Sequence, residues 1–117
     1  MRAELRSFFC PDLDLDSRHG VAQADGFLLT LLVGPIGEPG EESFDITVCT
    51  PHWLEKRVEH TGGPVIGRHL LVVSTVDMNQ IIAFVGARIA ELEAPTWNEL
   101  AGKIGRLGYW EFEDYRE

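Results

Sequence analysis

The chain holds only two cysteines, Cys10 and Cys49, in 117 residues. Two are too few for a disulfide framework, so stability must come from a hydrophobic core, and a reducing cytoplasm is the expected compartment. No apolar run approaches the roughly 20 residues that a membrane helix needs. The opening MRAELRSFFC also lacks the apolar stretch of a secretory signal. Cations are scarce: Lys and Arg total 10 against 19 Asp and Glu, a net charge of −9. Nucleic-acid phosphates demand Lys and Arg, and anionic membrane surfaces repel acidic chains, so neither partner is expected. A basic protein is the more natural partner, because opposite fields raise the encounter rate.

Familiar catalytic patterns are missing too. GGPVIG is glycine-rich, but no GK followed by Ser or Thr comes after it, so it is not a phosphate loop. DLDLD lacks the glycine and terminal glutamate of an EF-hand loop and reads as solvated edge charge. No Ser-His-Asp arrangement follows from spacing. We expect no cofactor and no catalytic residues.

What is present is a soluble globular composition, 44% hydrophobic and 25% charged. The length fits a single domain spanning residues 1–117. RAELRSFF alternates loosely and reads as an edge strand. GFLLTLLVGPIG, residues 26 to 37, is almost continuously apolar and bounded by glycines, the pattern of a central strand buried on both faces. SFDITVC alternates cleanly, with Phe44, Ile46 and Val48 on one face and Asp45, Thr47 and Cys49 on the other. The turn GEPGEE joins these two strands into an antiparallel hairpin. RHLLVVSTV is a further strand. Asp77 then caps a helix whose apolar face is Ile81, Phe84, Val85, Ile89 and Leu92. Thr96 caps another, with Trp97, Leu100, Ala101 and Ile104 as its apolar face and Gly105 or Gly108 to end it. The order predicts an α+β fold: a mostly antiparallel sheet of four to five strands, with one short helix and two C-terminal helices packed on one face.

The densest chemistry lies in SFDITVCTPHWLEKRVEH. Thr50 suits a helix N-cap and Pro51 the first helical position, while Trp53, Leu54 and Val58 form a short apolar stripe. That account makes the stretch the join between a strand and a helix, with Trp53 and Trp97 both in the core. The rival reading gathers Cys49, His52, His60 and His69 as zinc ligands of a small metal-dependent enzyme or accessory factor. Their spacing lacks the paired short intervals of structural zinc modules, so we expect no metal.

The tail YWEFEDYRE interleaves Tyr109, Trp110, Phe112 and Tyr115 with Glu111, Glu113 and Asp114. Strand alternation would set Trp110, Phe112 and Asp114 on one face and Glu111, Glu113 and Tyr115 on the other. Tyrosine and tryptophan are favoured interface anchors.

GEESFDITVCTPHWLE, then GRHLLVVSTVD, then TWNELAGKIGRLGYWEFEDY resemble the immunity protein 8 family of bacterial polymorphic toxin systems. The likeness runs in order along nearly the whole chain, AELRSFFCPDL included. It implies a small cytosolic protein that binds and neutralises a cognate toxin domain, protecting the producing cell and its siblings. It carries over no contact residues. On charge and exposure, the candidate toxin contacts are Glu41 and Glu42 at the hairpin turn and Trp110, Glu111, Glu113, Asp114 and Tyr115 in the tail.

Overall fold

A computed structural model describes residues 1–11 and 25–114. The DLDLD stretch and Tyr115 lie outside the described residues. Strands β1 (Ala3–Phe9), β2 (Gly26–Pro35) and β3 (Glu42–Cys49) precede helix α1 (Pro51–Thr61). Strand β4 (Leu70–Val72), helices α2 (Met78–Glu91) and α3 (Trp97–Ile104), and strand β5 (Tyr109–Trp110) follow. The sheet runs β1-β2-β3-β4, and β5 also pairs with β3. The pairs β1–β2, β2–β3 and β3–β5 are antiparallel, whereas β3–β4 is parallel. The α+β class and the mostly antiparallel sheet are as the sequence predicts.

Alternation decides which face is buried. Phe27, Leu29, Leu31 and Val33 of β2 point the same way as Phe44, Ile46 and Val48 of β3, and all are buried. Ile81, Val85 and Ile89 of α2 and Leu100, Ala101 and Ile104 of α3 close over this face as one core. On the opposite face of β2, Thr30 is buried but Leu28 and Leu32 are half-buried. Thr30 also donates to Asp45 Oδ1 at 2.7 Å across the hairpin.

Three expectations change. Helical spacing puts Phe84 on the buried stripe of α2, yet it is 54% exposed beside buried Val85. The stripe is narrow: Ile81, Val85 and Ile89 repeat at four-residue spacing and fill the contact with the sheet. The sequence predicts Trp53 in the core, but no residue of α1 is buried. Its ring instead covers Gly26, where an added Cβ would lie 2.3 Å from the indole. The last correction concerns strand lengths. β4 holds three residues rather than nine, because β3 turns into α1 after Cys49 and offers no further edge. β5 holds two, paired with Asp45 and Phe44; Glu111 N–H still reaches Ser43 O, but the chain is already turning away over residues 111–114. The tail's predicted two-faced strand is therefore a turn over residues 111–114.

One arginine fixes the hairpin turn. A register shift between Leu5 and Ser7 leaves Arg6 unpaired in β1. Its guanidinium donates to the carbonyls of Pro35 (2.6 Å), Glu38 (2.5 Å) and Gly40 (2.6 Å). It crosses Gly34 to do so; an added Cβ there would sit 2.5 Å from Arg6 Cζ. Arg6 thus holds the turn that leads into Glu41 and Glu42.

Candidate functional site

Most of the acidic and aromatic side chains singled out in the sequence meet at one corner of the sheet, where β3 begins. The half-buried Glu42 is its hub. One carboxylate oxygen accepts from the indole N–H of Trp97, in the first turn of α3. The other accepts from the indole of Trp110 in β5, at 3.4 Å. A single carboxylate therefore joins β3, α3 and β5. Trp110 stacks on buried Phe44 with centroids 6.4 Å apart, and Phe112 meets its edge at 6.0 Å. Glu111 adds two bonds to the same strand end. Its N–H donates to Ser43 O at 3.2 Å, and its carboxylate accepts from Ser43 N–H at 2.9 Å.

The tail is also tied to the loop before β4. Arg68 donates from both terminal nitrogens to Glu113, one of these bonds at 2.8 Å. The Glu113 carboxylate pushes the Arg68 guanidinium above its ordinary range. Tyr109 donates to Asp114 at 3.2 Å, and that hydrogen bond, followed by the carboxylate's negative charge, raises the phenol. His69 takes a left-handed backbone, with φ 59°. Its Nε2 lies 2.6 Å from Gly105 O, and its ring meets Tyr109 edge-on at 5.9 Å.

Glu42, Trp110, Glu111, Glu113 and Asp114 are thus brought to one corner, and exposed Glu41 lies at its margin on the turn. Four of the five carboxylates are held by protein donors. Among the described residues, Glu41 alone of them has no side-chain partner. Nothing in the sequence pairs Trp97, Arg68 or Ser43 with these carboxylates. They lie 55, 45 and 68 residues from the groups they hold, and spacing rules reach only one helical turn or one strand pair.

The cysteine–histidine group does not assemble. His52 and His60 are exposed on α1, His69 is turned to Gly105, and Cys49 is fully buried. Among the described residues, no three of His, Cys, Asp and Glu are placed to hold a metal ion. Burial raises the thiols of Cys10 and Cys49, which disfavours the reactive thiolate. The strand-to-helix reading accounts for the stretch: Thr50 accepts from Trp53 N–H at 3.2 Å, Pro51 opens the helix, and Gly62 closes it at φ 75°.

Among the described residues, no helix is long and apolar enough to cross a membrane. Neither the curated proteins nor the solved structures contain a match to the chain. The family model described as immunity protein 8 does match, over residues 3–115, and the chain belongs to that family.

Proposed function

We propose that this chain binds the cognate toxin domain of its own system and holds it inactive, protecting the producing cell. The family match over residues 3–115 carries this reading. The chain acts as one domain in the cytoplasm, by occupancy rather than by catalysis, and its partner is a protein rather than a nucleic acid or a membrane. The net charge of −9 supports a basic partner surface. The corner built on Glu42 and Trp110, with Glu41, Glu111, Glu113 and Asp114 around it, is the surface offered to that partner. Tyr115 extends it in sequence. Trp110 and Phe112 supply apolar anchorage that charge alone lacks, and the turn and tail are tied down in advance, which lowers the ordering cost of binding.

The test is association of the toxin domain with wild type and with the double variant Glu41→Gln, Glu111→Gln. Glutamine at 111 keeps an acceptor for Ser43 N–H, so folding is spared. Exposed charges act mainly on encounter, so the variant should associate more slowly, and the defect should shrink as salt screens the field. Equal rates for both proteins at low salt would move the interface away from this corner.

A further inference from the structure

The outer strands β1 and β4 differ in how they are protected. β1 carries charged residues, Glu4 and Arg6, and an irregularity at Arg6, devices that discourage another chain from pairing. β4 has neither. Thr47 N–H donates to His69 O at 2.9 Å and Val73 N–H donates to Cys49 O at 2.8 Å, so the parallel register turns both backbone groups of Leu71, between them, toward β3. By alternation, the N–H and C=O of Leu70 and Val72 point outward from the sheet. Val72 and the overhanging Phe84 of α2 are both half-exposed apolar residues on this margin.

Two hollows lie between β4 and α2, and Leu71 and Phe84 line both. The first, about 240 Å³, is bordered by Val72, Ser74, Thr75 and Gln80. The second, about 460 Å³, is bordered by Arg68, Arg88 and Arg106. Three arginines in one hollow are unexpected in so acidic a chain. Arg68 is paired with Glu113, and Arg88 with Glu91 at 3.3 Å. Among the described residues, Arg106 has no carboxylate partner. The hollow is therefore one negative charge short of balance.

From these observations, and resting on the toxin-binding reading above, we infer that the toxin contributes an extended segment that pairs with β4 as an added strand. Its backbone bonds Leu70 and Val72. Side chains two apart on a strand share a face about 7 Å from each other, so two of them straddle Phe84. One enters the smaller hollow. The other is an aspartate or glutamate that meets Arg106 in the larger one. A second copy of this chain is the poorer occupant, since two chains of charge −9 repel.

The experiment uses an inactive form of the toxin domain encoded beside this chain. Amide exchange at Leu70 and Val72 should slow at least about tenfold in the complex, while Leu71, already bonded to β3, changes little. Arg106→Glu should weaken binding at least about tenfold, through like-charge repulsion in the hollow, and Arg106→Lys should keep most of it. Val72→Pro removes an outward N–H without touching the bonds to β3 and should also weaken binding. If wild type binds but exchange at residues 70 and 72 is unchanged and Arg106→Glu binds equally, the added strand is refuted while the toxin-binding reading stands. If wild type binds no toxin, both fall. Slow exchange at residues 70 and 72 in a toxin-free dimer would give the edge to a second copy and overturn the inference.

Discussion

Replacing Glu42 with glutamine tests whether one carboxylate joins three elements. Both oxygens are in use, one for the indole of Trp97 and one for the indole of Trp110. An amide has only one carbonyl oxygen. Whichever way it turns, one indole N–H then faces an NH₂ group, donor against donor. A hydrogen bond to a charged group contributes about 1.5–3 kcal/mol. The site is half-exposed, so the lower end applies, and Glu42→Gln should cost about 1.5 kcal/mol. With a urea slope of about 1.5 kcal/mol per molar, the unfolding midpoint should fall by about 1 M. Glu41→Gln, on the exposed neighbour, should stay within about 0.5 kcal/mol of wild type. Urea titration followed by tryptophan fluorescence reads both. Trp97→Phe removes the same donor, so the pair Glu42→Gln and Trp97→Phe should be coupled by about 1 kcal/mol. A Glu42→Gln midpoint equal to wild type, or strict additivity with Trp97→Phe, would show that the carboxylate holds nothing together.

The two helix-opening tryptophans should separate in the same titration. Trp97→Ala should cost about 3 kcal/mol or more because its ring packs on the core, while Trp53→Ala should cost about half as much, its ring lying outside that core between Gly26 and the Arg57 guanidinium. Equal costs would contradict this difference in burial. Cys10 and Cys49 should resist a thiol-specific alkylating reagent at neutral pH and react once urea unfolds the chain; rapid labelling of the native protein would refute their burial. Because burial and the bond to Asp114 raise the two thiols and Tyr109 in the folded state, their contribution to stability is present below the ordinary values near 9 and 10. It is lost as pH climbs past them, since the unfolded chain then releases protons more readily. Unfolding midpoints measured between pH 7 and pH 11 should therefore fall at the alkaline end, and a rise there would be the wrong sign.

Local chemistry was legible in the sequence. Thr50, Asp77 and Thr96 each cap a helix as predicted, accepting from Trp53, Gln80 and Glu99 N–H. The hairpin follows from the alternation of β3 and a turn whose Gly37 and Gly40 take positive φ. What escaped was long-range. Nothing in RHLLVVSTV reveals that α1 returns the chain alongside β3, making β4 parallel and short. Phe84 fits an apolar stripe by spacing, and only the packed width of that stripe leaves it outside. The tail's carboxylates read as free charge until folding brings Arg68, Ser43 and Tyr109 against them. The basic hollow draws on residues 68, 88 and 106 from three separate segments, so no window of sequence contains it.

The central claim, that this chain neutralises a toxin, is tested most directly by survival. The cognate toxin domain would be produced in cells with and without this chain, and viable cells counted. The account predicts that growth is restored when the chain is present, and that the two proteins purify together as a complex. Equal killing in both cultures, with the chain folded and in excess, would contradict it.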